Sequence, residues 1–351
     1  MVHNEELRQG AKNLLINCAE LSSSDRLLII LEDPSLGWYE ADIATLIISE
    51  AERMGILAKK LIVGAPKNKS NNAVEELINQ HDCTIFFARI GDQDRFAKST
   101  LKKKRIMSYA RNISNLASSF GSTNYQATLE MKDEINNLFY KSKSIKIECP
   151  LGTNLSGKVL INKTVTQNDV SVTRFPIVVP MPINASSFSG EVIISNYLTS
   201  TGSKVYQPAS LNLRENIVAK ISNGRIDKFL GNLTDIKNVN RHYEKVSELF
   251  TLDRNVVHSW HAGLHSGISY NFKVEDNPDR WANTIFPSPN YLHFHTCGDY
   301  APGEICWMIK SPIIKIDGIP LWENARVKVE NFKSTSKLLL KWPELERIYF
   351  N

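Results

Sequence analysis

Hydrophobic and polar positions along the first 140 or so residues alternate between two periods. Residues 27–31 form an uninterrupted apolar run, which is typical of a strand covered on both faces. Residues 39–54 carry apolar side chains at helical spacing, and Gly55 ends that pattern. Further along, the pattern predicts strands at 57–63 and 83–88 and helices at 72–80 and 125–140. Strands and helices in alternation with short links predict a doubly wound α/β domain.

Short strands and tight turns replace this alternation after a strand predicted at 145–149. Asn223-Gly224 separates the apolar runs 217–221 and 226–229, which is a strong hairpin signal. Asp317-Gly318 predicts another turn, and residues 239–250 predict a helix. A chain of 351 residues exceeds what one hydrophobic core usually serves. We therefore predict two domains, an α/β domain at 1–143 and a β-rich α+β domain at 144–351.

Composition and charge exclude several partners. Hydrophobic residues make up 42% and charged residues 23%, an ordinary globular balance, and the net charge is +5. The one dense basic run, 102–105, has no interleaved aromatic residues, so it indicates a solvated loop and no nucleic-acid partner. No apolar run reaches the ~18 residues that a membrane-spanning helix needs. We expect neither nucleic acid nor a membrane as a partner.

The N-terminus and the cysteines favour a cytoplasmic protein. The first nine residues are polar and acidic, where a signal peptide needs a basic start and an apolar core. The five cysteines are odd in number, scattered, and without a CxxC pair, which is typical of reduced, buried thiols. The first domain has neither GxGxxG nor GxxxxGK[ST], so we assign it no nucleotide.

Histidines cluster in two short segments of the second domain. His258, His261 and His265 lie in one segment, and His293 and His295 lie in the other. If the second segment is a strand, His293 and His295 share one face, because strand side chains repeat every second residue. Two imidazoles and a carboxylate suit Zn or non-haem Fe(II). A single histidine is more often structural than a ligand, so a chain without metal remains an alternative.

Two glutamates beside glycines could supply the carboxylate. Glu191 follows Gly190 at the entrance of a predicted strand, and Glu304 follows Gly303. Each could also be an ordinary carboxylate at a strand edge. Cys306, two residues beyond Glu304, could be a thiolate ligand or an inert buried thiol.

Four segments, in order along the chain, resemble the metallo-aminopeptidases typified by aminopeptidase T and aminopeptidase S, and the related 2,5-dihydroxypyridine dioxygenases. They are CPLGTNL at 149–155 (family GTDL), SGEV at 189–192 (PDGEV), NTIF at 283–286 followed by His293 (NTLF…H), and KIDGI at 315–319 (IDGI). The resemblance implies that Glu191 and His293 bind metal. It also implies a homodimer.

The same resemblance contains departures that imply a divergent metal site. His261 falls where the aminopeptidases have a second glutamate and the dioxygenases a histidine, and Ser288 falls on a third glutamate. The family's HxD falls on Glu304-Ile305-Cys306. We therefore predict a site for at most one metal ion, formed by Glu191, His261, His293 and Glu304 within one cleft. His295, Cys306, Ser288 and His265 are further candidates.

Three functions follow from this pattern. The first is an aminopeptidase-like metallohydrolase acting on a peptide or amide, with Glu304 or Glu191 as the base and Zn or Fe(II) as the ion. The second is a mononuclear non-haem iron dioxygenase, which His261 favours. The third is a catalytically degenerate protein that binds a peptide or small molecule, without metal, in the cleft that corresponds to the family's active site. The sequence names no substrate.

Overall fold

The computed structural model describes residues 4–67, 72–93, 103–160, 172–202, 206–299 and 303–350. Its helices are α1 (Asn4–Lys12), α2 (Ala41–Arg53), α3 (Asn72–Asn79), α4 (Ile90–Gln93), α5 (Ile113–Ala117), α6 (Ser119–Ser122), α7 (Tyr125–Lys141), α8 (Leu233–Phe250), α9 (Pro278–Ile285), α10 (Lys333–Lys341) and α11 (Glu346–Tyr349). A π-helical turn at Asn13–Cys18 follows α1, and 3₁₀ turns lie at Pro34–Leu36, Val329–Asn331 and Pro343–Leu345.

The strands are β1 (Arg26–Glu32), β2 (Leu57–Val63), β3 (Cys83–Phe87), β4 (Lys104–Ser108), β5 (Ile145–Glu148), β6 (Asn154–Gly157), β7 (Thr173–Phe175), β8 (Ile183–Asn184), β9 (Ser189–Ile194), β10 (Tyr197–Thr199), β11 (Leu211–Asn212), β12 (Ile217–Ser222), β13 (Arg225–Leu230), β14 (Val257–Ala262), β15 (Tyr291–Cys297), β16 (Glu304–Lys310), β17 (Ile313–Ile316), β18 (Ile319–Glu323) and β19 (Arg326–Val327). In the part of the chain that the structure describes, no helix is long and apolar enough to cross a membrane.

The chain divides into two compact units. One contains the described residues of Met1–Glu130 and Lys163–Val178, and the other those of Met131–Asn162 and Val179–Asn351. The predicted single boundary after residue 143 differs from this division in two places. Helix α7 belongs partly to each unit, and β7 belongs to the first unit although it follows the predicted boundary. The reason is that β7 pairs with β4 far away in sequence, which a local pattern cannot show.

The first unit contains a parallel sheet in the order β2-β1-β3-β4-β7. Residues 27–31 of β1 are at most 1% exposed, because β1 lies between two strands and is covered on both faces. The predicted α/β class of this part of the chain is therefore confirmed. The helix predicted at 39–54 is α2, and that predicted at 72–80 is α3.

The second unit is built from antiparallel sheets. One has the order β11-β10-β16-β15-β14-β8, and the other the order β13-β12-β9-β6-β5-β17-β18-β19. The predicted hairpin is confirmed: β12 and β13 are joined at Asn223 and Gly224, which both have positive φ, 50° and 70°. Helix α8 begins at Leu233, six residues before the predicted start, because Asn232 caps it by accepting hydrogen bonds from the amides of Thr234 and Asp235.

The six-stranded sheet of the second unit has two chemically different faces. One face carries large apolar side chains, among them Trp260, Phe294 and Trp307, none of which is exposed. Trp260 packs edge-on against Phe139 and Phe188, each at 5.6 Å between ring centroids. This packing fixes the central strands β14, β15 and β16. The opposite face of the same strands holds the polar residues described next.

Candidate functional site

Three histidines lie on one face of β14 and β15. The antiparallel register places His261 opposite His293, and His295 opposite Cys306 of β16. Residues directly opposite each other in an antiparallel pair share a face, and residues two apart on one strand share a face. The side chains of His261, His293 and His295 therefore project together. The predicted placement of His293 and His295 on one strand face is confirmed.

The imidazole nitrogens of these histidines converge on one point. His295 Nε2 lies 3.0 Å from His261 Nε2, and His293 Nδ1 lies 3.4 Å from the same atom. The three residues are 5–7% exposed. Three nitrogen donors this close together and this far from bulk water could hold a metal ion.

Glu304 fixes the proton of one of these rings. Its Oε1 lies 2.7 Å from His295 Nδ1, and the residue is 1% exposed. A buried carboxylate needs a donor, so Nδ1 carries the proton and the lone pair of His295 resides on Nε2, towards His261. Glu304 Oε2 is also buried, and it has no hydrogen-bond partner among the described residues.

Cys306 completes the group on the neighbouring strand. The Cys306 thiol, Glu304 and His295 each offer one ligand atom within 4.8 Å of the others, and Cys306 is fully buried. All five cysteines of the chain are buried and unlinked, as the sequence predicted. A buried His/Glu/Cys group of this kind could hold a metal ion.

Two aromatic residues border the group. Phe286 lies 6.0 Å from His261 and 6.3 Å from His293 between ring centroids. Tyr206 donates a hydrogen bond from its hydroxyl to the backbone carbonyl of Glu304, at 2.7 Å. Burial raises the pKa of Tyr206 well above its ordinary value, so the hydroxyl keeps its proton. The sequence does not predict this role of Tyr206, because a single tyrosine in a loop carries no signal of its partner.

The structure does not bring Glu191 into this group. Glu191 lies on β9 of the eight-stranded sheet, where Val192 and Ile194 point inward and are fully buried. Alternation along the strand directs Glu191 to the other face. There it forms an ion pair with Lys220 at 3.0 Å, and its side chain is 47% exposed. The sequence predicts that Glu191, His261, His293 and Glu304 share one cleft, and Glu191 departs from this expectation. The other three residues come together, and His295 lies with them.

The remaining candidates lie beside these strands. Ser288 is half-buried in the turn before β15, and its hydroxyl accepts a hydrogen bond from the Asn290 amide at 3.3 Å. His265 is buried in the segment after β14, and its amide donates to the carbonyl of Pro287 at 2.8 Å. Neither belongs to the metal-competent groups found among the described residues.

The donor set fits a single metal ion. Metal–nitrogen bonds of about 2.0–2.1 Å in tetrahedral geometry place two ligand nitrogens about 3.3 Å apart. The observed separations of 3.0 and 3.4 Å lie close to that value. Glu304 accepts the Nδ1 proton of His295, as a carboxylate behind a metal-binding histidine does.

Comparisons with known proteins place the fold. No protein-family model matches the chain, and a search of curated proteins gives no match. A 2,5-dihydroxypyridine dioxygenase from Pseudomonas putida KT2440 matches with a TM-score of 0.60 and 10% identity, over 93% of this chain and 98% of the other. AmpT from Thermus thermophilus matches with a TM-score of 0.50 and 12% identity, over 92% of this chain and 99% of the other. At these identities the likeness shows a shared fold, which is aminopeptidase-like.

Proposed function

We propose that this protein is a mononuclear metal-dependent hydrolase of a peptide or amide bond, whose ion is held by His261, His293 and His295. The observation that carries the proposal is the convergence of three buried imidazole nitrogens at 3.0 and 3.4 Å. Catalytic zinc sites use three protein ligands and leave a further position for water. The aminopeptidase-like fold supports the hydrolytic reading.

Three neutral imidazoles leave the charge of a divalent ion uncompensated. A bound Zn²⁺ would lower the pKa of its water to about 7 and polarise the substrate carbonyl. The ligand set proposed here contains His295 in place of the Glu191 expected from sequence, because Glu191 is ion-paired with Lys220. Like the prediction from sequence, this proposal places at most one ion in the group.

Glu304 acts through His295 in this proposal. By accepting the Nδ1 proton at 2.7 Å it holds the ring in the tautomer and orientation that present Nε2. Its negative charge increases the basicity of that imidazole. Tyr206 anchors the backbone of Glu304 and so helps to position its carboxylate. Phe286 provides an apolar wall beside His261 and His293.

A mononuclear iron dioxygenase is the second candidate. Imidazole ligands suit iron as well as zinc, and the dioxygenase from Pseudomonas putida has this fold. The common iron triad, however, contains two histidines and one carboxylate. Here the carboxylate of Glu304 is hydrogen-bonded to His295, and the convergent set contains three histidines. This ligand chemistry favours the hydrolase.

Purified protein loaded separately with Zn²⁺ and, without oxygen, with Fe²⁺ distinguishes these functions. The proposal predicts that the zinc form hydrolyses aminoacyl p-nitroanilides and that His293→Gln abolishes this turnover. His258→Gln is the matched control, because His258 lies on β14 but bonds the Cys297 carbonyl, outside the group. Oxygen uptake by the iron form with a dihydroxypyridine, without hydrolysis by the zinc form, would establish the dioxygenase instead. A chain that takes up neither ion would be a binding protein.

A further inference from the structure

A row of residues across the six-stranded sheet continues from the histidine group into apolar side chains. His261 of β14 lies opposite His293 of β15, and His293 lies opposite Met308 of β16. Residues directly opposite each other share a face of the sheet, so the Met308 side chain projects beside the His293 ring. Tyr291, two residues before His293, projects from the same face. On the side of His293 away from His261, the histidine group therefore borders on apolar and aromatic side chains.

Trp281 of α9 packs onto this face of the sheet. Its ring centroid lies 5.5 Å from that of Tyr291 and 6.4 Å from that of Tyr197, which lies on β10. Strands β10 and β15 are the two neighbours of β16 in the sheet, so the indole spans β16. Phe286, the residue that follows α9, lies 6.3 Å from His293 between ring centroids. Helix α9 and its end thus bring two aromatic rings to the border of the histidine group.

Side-chain hydrogen bonds hold α9 in this position. Asp279 accepts a hydrogen bond from the Ser200 hydroxyl at 2.8 Å, and the Asn283 side-chain amide donates to the Ser200 carbonyl at 3.1 Å. Ser200 follows β10 and is 3% exposed. Because Asp279 and Asn283 lie on either side of Trp281 along the helix, these bonds fix the direction in which its indole projects.

The aromatic rings keep part of their surface in contact with water. Trp281, Tyr291, Tyr197 and Phe286 are each half-buried, whereas Met308 is 4% exposed. Partly exposed aromatic rings that lie together favour an apolar partner that covers them. We infer that Trp281, Tyr291 and Met308 form a specificity subsite, which takes an apolar, above all aromatic, side chain next to the amide bond that is cleaved. This inference rests on the proposed function, which it extends to a substrate class.

Binding of two amino alcohols tests this inference without turnover. Phenylalaninol and alaninol keep the amine and the side chain of such a substrate and have no amide bond to hydrolyse. Isothermal titration of the full chain with Zn²⁺ present should find that phenylalaninol binds about tenfold or more tighter than alaninol, because its ring leaves water for the aromatic side chains.

Trp281→Ala should reduce this preference to about threefold or less, while the affinity for alaninol stays within about twofold. Tyr291→Ala, a second variant that removes a ring of the same subsite, should reduce the preference as well. Trp342→Ala is the matched control, because Trp342 is also half-buried but follows α10, outside the subsite. It should keep the full preference.

The inference is overturned if neither amino alcohol binds, or if phenylalaninol binds no tighter than alaninol. It is equally overturned if Trp281→Ala and Tyr291→Ala both keep the full preference, or if Trp342→Ala loses as much of it as they do. Failure of the proposed function has a different signature: phenylalaninol is still preferred, but the zinc form hydrolyses no aminoacyl p-nitroanilide.

Discussion

Glu304 is a buried carboxylate. Among the described residues, its side chain is hydrogen-bonded to the ring of His295, with 2.7 Å between Glu304 Oε1 and His295 Nδ1. We predict that Glu304→Gln lowers metal affinity by about tenfold to a hundredfold, because the amide keeps the size of the side chain and loses the negative charge behind the imidazole. Competition with a chromophoric chelator measures this. Glu191→Gln is the control, since Glu191 is paired with Lys220 on another sheet. A larger loss in Glu191→Gln than in Glu304→Gln would refute the assignment of both residues.

His242 of α8 gives a second prediction at the scale of single residues. Burial and the nearby Lys245 lower its pKa from 6.5 to about 4. Between pH 6.5 and about pH 4, His242 is therefore protonated in the unfolded chain and neutral in the folded chain. The free energy of unfolding consequently falls as the pH falls from 6.5 towards 4. The loss amounts to about 3 kcal/mol across this window.

Urea unfolding at a series of pH values measures this dependence. His242→Gln should have a flatter profile between pH 6.5 and about pH 4, because glutamine does not titrate. Profiles of equal slope in the two proteins would show that other groups cause the dependence.

At the scale of elements, two turns of the second unit form a natural comparison. Gly224 and Gly318 both have positive φ, 70° and 86°. A Cβ on Gly224 would lie 2.6 Å from Ser186 Cα and 2.7 Å from Ala185 O, whereas a Cβ on Gly318 meets no atom within 4 Å in the described part of the chain. Gly318→Ala should cost only the backbone strain, about 1 kcal/mol.

Gly224→Ala should cost markedly more, about 3 kcal/mol, because the backbone at Ala185 and Ser186 must also move. Urea unfolding followed by tryptophan fluorescence compares the two variants. Equal costs would indicate that the hairpin of β12 and β13 shifts freely, and this would contradict the packing described here.

Elements with a local cause could be predicted from the sequence. Strand β1 is an unbroken apolar run, and the β12–β13 hairpin follows from the backbone freedom of Asn223-Gly224. The start of α8 could not be predicted from the apolar periodicity, because its first residue, Leu233, is 84% exposed and interrupts that pattern. The cap at Asn232 sets the start, and it lies outside the apolar periodicity from which the helix is predicted.

The site was predictable only in part, for the same reason. Period two along β15 places His293 and His295 together, but their approach to His261 depends on the register of β14 across 32 residues of chain. The outward direction of Glu191 depends on the pairing of β9 with β12. Neither pairing leaves a local pattern in the sequence.

At the scale of the whole molecule, the homodimer implied by the family resemblance stays a prediction. Of the aromatic residues near the C-terminal end of the chain, Tyr349 is 2% exposed and so packs within its own unit, while Phe350 is 40% exposed and Trp342 is half-buried. We expect light scattering at micromolar concentration to give a mass of about 79 kDa, twice the chain mass of 39.7 kDa. A mass equal to that of the chain would contradict it.

The metal content of the whole protein tests the central claim most directly. Mass spectrometry of the elements in purified, reconstituted protein should find one equivalent of zinc or iron per chain, because three buried imidazole nitrogens converge on one point. His261→Gln and His293→Gln should each lose that ion, and His258→Gln should retain it. A wild-type chain without metal after reconstitution, or a full equivalent in both ligand variants, would contradict the account.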